Sequence, residues 1–290
     1  MKNSTTVDIP PALGIGGPLR QVTSARGGRH YELPFLSDCP KVRSVTTLID
    51  QTLRNHGLER WRESRIRDGM REQLGAELTE DVSDEILGAA SLEASTSADL
   101  GTRVHQIIDT LLTGAEVEVS NDLEPAITAW LAWRERFAHL EFIASEVGVW
   151  IRHPDIGEFA GTIDCLMRDT MNDELVIIDW KTGGVYESAM MQASAYVAAL
   201  TAMIDWQQRQ ATERNGHHQP TTIRAMIVQL VSDYPMLDGQ KDRSSSKVFS
   251  GEARFAWVDE DEWLPAVEAA YTLFNARKQR VVLEDVGGWV

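Results

Sequence analysis

Hydrophobic and polar positions repeat with a helical period in one part of the chain and with a strand period in another. From about residue 45 to 139, apolar residues recur every three or four positions, which is typical of amphipathic helices. From about 141 to 182 the chain contains short runs rich in β-branched and aromatic residues, separated by turn signals. We therefore expect a helical front part that is followed by three successive strands.

The same patterns predict elements on both sides of these strands. A helix is expected to begin after Ser44, a suitable N-cap. Residues 1–40, rich in glycine and proline, predict an irregular arm or an edge ribbon whose one strand-like segment is RHYEL, residues 29–33. Further helices are predicted over 58–74, 82–94, 96–113, 123–139, 186–211 and 259–280, and further strands near 221–233 and 247–258. This order predicts the α/β class, with a central mixed β-sheet flanked by helices.

Composition adds limits on the class of protein. The chain has 290 residues, of which 43% are hydrophobic and 25% are charged, and this excludes a disordered or collagen-like protein. No apolar run reaches the roughly 18 residues that cross a membrane, and the amino terminus lacks a secretory segment. We expect a cytoplasmic protein without a membrane partner. It should consist of an arm and basic helical region over 1–95 and a core over 96–290.

Charge is distributed unevenly along the chain. The net charge is −16, but residues 1–72 carry 12 Lys and Arg against 8 Asp and Glu. A predicted helix in this segment carries a basic face beside Trp61, which suits binding to a nucleic-acid strand. The alternative is a solvated amphipathic helix with ion pairs such as Glu63 to Arg67. The candidate nucleic-acid-binding arginines on this segment are Arg54, Arg60, Arg62 and Arg65.

Charged residues within the predicted strands point to chemistry. Asp179 and Lys181 are two residues apart, so a strand would project both side chains from one face. Asp164, on the preceding strand, could meet them at one end of the sheet. Two carboxylates that hold a hard cation beside a lysine suit metal-assisted hydrolysis of a phosphodiester. The alternative is a structural ion pair between Asp179 and Lys181, with Asp164 in a turn.

Two helices contribute further polar candidates. Gln192 and Tyr196, at positions i and i+4, share one face of the long helix and can both form hydrogen bonds. Upstream, His105 lies in a helix that is otherwise suited to packing. A single histidine there could equally be a core or a surface residue.

Together, the segments GTRVH, GTID, IIDWKTG and QASAY, in this order over residues 101–200, resemble the RecB-like branch of the PD-(D/E)XK nuclease superfamily. The resemblance implies a restriction-endonuclease-like core, which agrees with the mixed sheet predicted above. It also implies that residues 96–290 form the nuclease core and that residues 1–95 could act as a DNA clamp.

The resemblance implies a role for each matching residue. His105, Asp164 and Asp179 would bind metal together with the carbonyl of Trp180, and both aspartates would be catalytic. Lys181 would position the attacking water and stabilise charge on the phosphate. The remaining roles are placement of the DNA backbone and of the lysine by Gln192 and Tyr196, DNA contact by Arg103, and auxiliary carboxylates at Glu146 and Glu158.

The expected cofactor is Mg²⁺, and Mn²⁺ should substitute for it, because an oxygen-rich site with one imidazole suits these ions. Some RecB-like nucleases hold an iron–sulfur cluster with four cysteines. The chain has only Cys39 and Cys165, so we expect no iron–sulfur cluster.

The resemblance favours a Mg²⁺-dependent exonuclease that acts on single- or double-stranded DNA ends, in recombination, repair or phage DNA processing. Two alternatives remain open: a non-catalytic nucleic-acid-binding or assembly subunit, and a structure-specific endonuclease. RNA as the substrate is also open. A homo-oligomer, or a separate recombination or helicase protein, is the expected protein partner.

Overall fold

The structure, a computed structural model, describes most of the chain. The described residues are 3–7, 18–23, 29–36, 38–53, 56–75, 79–154, 157–215, 221–233, 236–237, 240–241 and 248–278. Their elements, in chain order, are β1 (Asn3–Val7), β2 (Leu19–Thr23), β3 (Arg29–Glu32), β4 (Lys41–Arg43), α1 (Val45–Thr52), α2 (His56–Glu72), α3 (Glu80–Leu112), α4 (Glu124–Arg136), β5 (Leu140–His153), β6 (Gly157–Asp169), β7 (Glu174–Lys181), α5 (Glu187–Asn215), β8 (Ile223–Asp233), β9 (Met236–Leu237), β10 (Gln240–Lys241), β11 (Val248–Trp257) and α6 (Glu260–Lys278).

A five-stranded mixed sheet forms the centre of the fold, in the order β11-β8-β7-β6-β5. The strands β5, β6 and β7 are antiparallel neighbours, whereas β7 and β8 are parallel and are joined through α5. A parallel pair requires such a crossover, because a tight turn can only reverse the chain. The three successive strands and the long helix were predicted, and both are confirmed.

Helices cover both faces of this sheet. Strand β7 shows why, because its buried residues alternate between the two sides: Ile177 packs into the core with α1, α5 and α6, and Trp180 packs into the core with α3 and α4. The ring of Trp180 meets that of Trp133 edge-on, with centroids 5.1 Å apart. A strand buried on both faces must be apolar on both, which explains the continuous run LVII before Asp179. The predicted α/β fold with a mixed sheet flanked by helices is therefore confirmed.

Helix ends follow local capping. The side chain of Ser44 accepts a hydrogen bond from the backbone N–H of Thr47, so the predicted start of α1 is confirmed. At the C-terminal end of α3, Gly114 has a φ of +77°, a conformation that glycine adopts without steric cost and that commonly ends a helix. The prediction of two helices over 82–94 and 96–113 is wrong, because α3 is continuous. The predicted boundary between 95 and 96 falls inside it, and the division into two regions stays a prediction.

The N-terminal arm differs from its prediction. Strands β1 to β4 form a four-stranded antiparallel sheet, so the expectation of an irregular arm is wrong for the described residues. Its alternating pattern was hard to recognise because the strands have only three to five residues and the first two connections contain several glycines. Leu19, Tyr31, Leu33 and Val42 bury its inner face against Ala160 of β6. This sheet thus packs on the central sheet.

None of the helices in the described part of the chain is long and apolar enough to cross a membrane.

Candidate active site

The candidate site lies where strands β6 and β7 separate. Their ladder runs from Asp169 opposite Glu174 to Cys165 opposite Ile178, and both strands then continue without pairing to each other. Asp164 and Asp179 are the next residues on their respective strands. Because β7 stays paired with β8 as far as Lys181, the separation opens a gap between β6 and the end of β7. The topology therefore brings Asp164 and Asp179 to the same opening.

Asp164 bridges this gap with its side chain. Its Oδ2 accepts a hydrogen bond of 2.9 Å from the backbone N–H of Trp180, a group that has left the β6 ladder. Helix α3 reaches the same point through His105, whose Nδ1 lies 3.8 Å from Asp164 Oδ2 and whose Nε2 lies 3.1 Å from the carbonyl oxygen of Trp180. The predicted set of His105, Asp164 and the Trp180 carbonyl is thus close together.

Lys181 and Asp179 project from the same face of β7, as the spacing predicted. Lys181 Nζ lies 2.6 Å from Asp179 Oδ2, and the side chain of Asp179 is only 3% exposed. Although the two groups form an ion pair, Oδ2 receives no well-aligned hydrogen bond from any described residue. The ammonium of Lys181 therefore neutralises the charge of the buried Asp179 carboxylate, but this carboxylate can still accept a hydrogen bond or bind a cation.

Burial and the repulsion between the carboxylates of Asp164 and Asp179 affect the pKa values of the site. Burial, and then the negative charge of Asp179, raise the pKa of Asp164 to about 6. Burial acts to lower the pKa of Lys181, but the charges of Asp179 and Asp164 outweigh it, so that this pKa is raised. Lys181 is therefore a cation at neutral pH.

In the segments GTRVH and GTID, the glycines Gly101 and Gly161 lie so close to neighbouring side chains that a larger residue would clash. A Cβ added to Gly161 would lie 2.9 Å from Cζ and 3.0 Å from the hydroxyl of Tyr196, whose ring therefore packs directly on the backbone of β6. Likewise, a Cβ added to Gly101 would lie 2.9 Å from Thr182 Oγ1. These contacts link α5 to β6 and α3 to the segment after Lys181, and so explain why small residues occur next to the charged ones.

Helix α5 supplies the other two predicted residues. Gln192 Nε2 donates a hydrogen bond of 3.0 Å to the Tyr196 hydroxyl. Burial, followed by the nearby charges of Tyr31, Asp179 and Asp164, raises the pKa of Tyr196 well above its usual value. Tyr196 is therefore a neutral donor beside the acidic cluster at any physiological pH.

The donor set suits a divalent cation by its chemistry. It combines two carboxylates, a backbone carbonyl and an imidazole, which are ligands of Mg²⁺ and Mn²⁺. A cation would also relieve the repulsion that raises the pKa of Asp164. Within the described ranges, no three acidic, histidine or cysteine side chains already lie around a common metal position. A cation bound by Asp179 would share that carboxylate with the Lys181 ammonium.

Two further carboxylates border the site. Glu146 of β5 lies between Ser145 and Val147, which pair with Cys165 and Ile163 of β6, and it has a φ of +51° that a non-glycine residue seldom adopts. Burial, and then the charges of Asp164 and Asp109, raise the pKa of Glu146 to about 7. Sequence reasoning missed Asp109, although its position four residues after His105 was a usable signal, since both share one face of α3. Glu158 lies on β6, six residues before Asp164 and away from the site, and it pairs with Arg152 of β5.

The predicted nucleic-acid-binding residues are only partly on one surface. Arg60 and Arg62 are exposed on α2, whereas Arg65 is buried and pairs with Asp68 at 2.7 Å, so its expected place on an exposed basic face is wrong. Arg103 pairs with Asp122 at 3.0 Å and donates to Ser120 Oγ at 2.8 Å. Arg54 and the side chain of Trp61 lie outside the described residues.

The five-stranded mixed sheet flanked by helices is consistent with a restriction-endonuclease-like fold. The family model of the PD-(D/E)XK nuclease superfamily matches residues 71–244. The chain belongs to this superfamily, and a nuclease domain implies nucleic acid as the substrate. No curated protein matches the chain.

Proposed function

We propose that this protein is a Mg²⁺-dependent DNA exonuclease of the RecB-like branch, which hydrolyses phosphodiester bonds at DNA ends. The observation that carries the proposal is the meeting of Asp164, Asp179 and Lys181 where β6 and β7 separate. A carboxylate pair with a neighbouring ammonium, at an opening in the sheet, suits hydrolysis at a phosphate better than a structural role. A purely structural ion pair would not need the second carboxylate, whose repulsion is unfavourable.

The residues that would hold the cation are Asp164, Asp179, His105 and the carbonyl of Trp180. Once bound, Mg²⁺ would polarise the phosphate and acidify a water molecule. Asp164 is held for this role by the backbone N–H of Trp180, and His105 is held by the carbonyl of the same residue. The peptide segment at Trp180 would thus help to position both ligands.

Lys181 would orient the attacking water and stabilise negative charge on the phosphate, since its raised pKa keeps it protonated. Gln192 and Tyr196 would donate hydrogen bonds to the DNA backbone or to the lysine. Tyr196 is suited to donation because its hydroxyl remains neutral.

Action at DNA ends is the expectation for the RecB-like branch, and residues 1–95 would form a clamp that admits a strand. Arg60 and Arg62, exposed on α2, are suited to contact phosphates. We propose Mn²⁺ as a substitute for Mg²⁺ and no iron–sulfur cluster, since Cys39 is exposed and Cys165 is buried. We further propose a setting in recombination, repair or phage DNA processing, with a homo-oligomer or a separate helicase as the partner.

A cleavage time course tests this proposal. Linear DNA, single- and double-stranded, is labelled at either end, circular DNA is labelled internally, and each is incubated with Mg²⁺, Mn²⁺ or EDTA. We expect metal-dependent shortening of linear DNA by the wild type, and at least a roughly 100-fold loss in Lys181→Ala, because charge stabilisation at the phosphate is removed. Arg168→Ala is the control, since Arg168 is an exposed cation that pairs with Asp173 toward the other end of β6.

Other outcomes identify the alternatives. Cutting of circles would show an endonuclease, and degradation of RNA in preference to DNA would change the substrate class. Salt-sensitive DNA binding without cleavage in any metal would instead indicate a non-catalytic subunit. Calorimetry of Mg²⁺ binding by Asp164→Ala tests the ligand role separately: unchanged affinity would contradict it.

A further inference from the structure

The N-terminal sheet touches the candidate site, although it lies outside the residues 71–244 that match the family model. The hydroxyl of Tyr31, on β3, is 2.9 Å from Thr162 Oγ1, two residues before Asp164 on β6. Ser44, after β4, forms an isolated parallel bridge to Ala160. Tyr31 is 2% exposed, so this attachment is a packed contact. The sheet therefore holds a fixed position beside Asp164.

Arg29 begins strand β3 at this position, and its main chain is held firmly. Its N–H donates to Thr47 Oγ1 at 3.2 Å, and its carbonyl accepts from the Ser44 N–H at 3.3 Å. The Thr47 hydroxyl also donates to the Arg29 carbonyl at 3.4 Å. These bonds join β3 to the start of α1 without using the Arg29 side chain. The direction in which the side chain leaves the backbone is consequently set by packed elements.

The Arg29 guanidinium is exposed, and Nη2 donates only a long hydrogen bond of 3.3 Å to Thr46 Oγ1. No ion pair of this guanidinium occurs within the part of the chain that the structure describes. Burial raises the pKa values of Glu146 and Asp50, and neighbouring aspartates raise that of Lys181, whereas the positive charge of Arg29 opposes all three shifts. Arg29 is thus close to the candidate site without being neutralised by it.

This placement addresses a difficulty of the site. Glu146, Asp109, Asp164 and Asp179 make the opening acidic, and an acidic opening repels the phosphates of a nucleic acid. Lys181 is occupied by Asp179. An exposed arginine on a rigid strand beside the opening offers a planar, bidentate donor for a phosphate and loses little freedom on binding.

We propose that Arg29 binds a backbone phosphate of the nucleic acid next to the cleavage site, so that the N-terminal sheet forms one wall of the substrate cleft. This proposal rests on the proposed function, since it assigns a substrate contact to the same site. Arg29 was not among the arginines selected from the sequence.

Equilibrium binding tests the contact independently of cleavage. Fluorescence anisotropy of a labelled DNA oligonucleotide in EDTA, over a series of salt concentrations, gives the Kd and its dependence on salt. We expect Arg29→Gln to weaken binding about tenfold and to reduce the slope of log Kd against log salt by about 0.7 to 0.9, the value for one phosphate contact. Arg29→Lys should keep the wild-type slope, since it keeps the charge.

Arg20→Gln is the matched control, because Arg20 lies in the same sheet but pairs with Glu32. A loss caused by damage to the sheet would affect Arg20→Gln and Arg29→Gln alike. The proposal is overturned if Arg29→Gln keeps the wild-type Kd and slope, or if both variants fall equally. Thermal unfolding of each variant, followed by circular dichroism, shows whether the sheet remains folded.

Kinetics separates this inference from the proposed function. In Mg²⁺, Arg29→Gln should raise KM for DNA about tenfold with a change in kcat below about threefold, because binding and not the chemical step is affected. Absence of cleavage by the wild type would refute the proposed function, yet the anisotropy result would still decide the role of Arg29. Cleavage by the wild type with an unchanged KM in Arg29→Gln would refute the inference alone.

Discussion

Replacing Gly161 by alanine should disturb the contact between α5 and β6 on which the candidate site depends. The added Cβ would lie 2.9 Å from Cζ of Tyr196, whereas carbon atoms pack best at about 3.5–4.0 Å. Cε1 of the ring lies closer still to the added Cβ, so the ring must move by more than roughly 0.6–1.1 Å, and Tyr196 is only 4% exposed, with packed neighbours behind it. Overpacking of this kind costs about 1–3 kcal/mol of stability.

A double-mutant cycle measures the contact itself. In the background of Tyr196→Leu, which lacks the ring atoms that the Cβ meets, Gly161→Ala should cost at least about 1 kcal/mol less than in the wild type. The assay is urea unfolding followed by circular dichroism. Gly183→Ala is the control glycine variant, since a Cβ there meets nothing within 4 Å.

Gly161→Ala should also reduce DNA cleavage, because Asp164 lies three residues after Gly161 on β6 and would move with this strand. We expect Gly183→Ala to cleave DNA as the wild type does. A free energy of coupling below about 0.5 kcal/mol between positions 161 and 196 would refute the reasoning, since that is the level at which independent sites add. Unchanged stability of Gly161→Ala would refute it more directly.

Two further predictions concern stability. Gly88→Ala should stabilise the protein by about 0.5–1 kcal/mol in urea unfolding, because Gly88 is an exposed residue inside α3 and a Cβ there meets nothing; a loss of stability would contradict this account of α3. Burial, and then the charge of Asp261, raise the pKa of Glu260 to about 7, so the folded state binds this proton more tightly than the unfolded state, and stability is lost as pH rises from about 4.5 to 7. Glu260→Gln should therefore stabilise the protein more at pH 8 than at pH 5, and an equal effect at both pH values would show that Glu260 is not desolvated.

Local patterns predicted the central fold well. The three strands from β5 to β7 and the long helix α5 follow from short β-rich runs and a sustained helical period, and both signals are local in sequence. The shared face of Asp179 and Lys181 also follows from a local rule, the alternation of side chains along a strand. Where the signal was weak, as in the short strands β1 to β4, prediction failed.

Exposure of the arginines was less predictable. Arg65 and Arg62 are three residues apart on one basic helix, yet Arg65 is buried and paired with Asp68, whereas Arg62 is exposed. The sequence alone could not distinguish them, because burial depends on how α2 packs against α3. Arg29 was overlooked for the same reason, since its proximity to Lys181 and Glu146 depends on the attachment of a separate sheet.

The sequence by itself determined the order of helices and strands, the face shared by Asp179 and Lys181, and the set of residue types able to bind a cation. Only the tertiary structure decided that β6 and β7 separate at Cys165 and Ile178, that Asp164 then bonds the freed N–H of Trp180, and that Tyr31 attaches a second sheet beside it. The physical reason is range. Periodicity and capping act between neighbours in the chain, whereas Tyr31 and Thr162, 131 residues apart, approach each other only through packing of the whole domain.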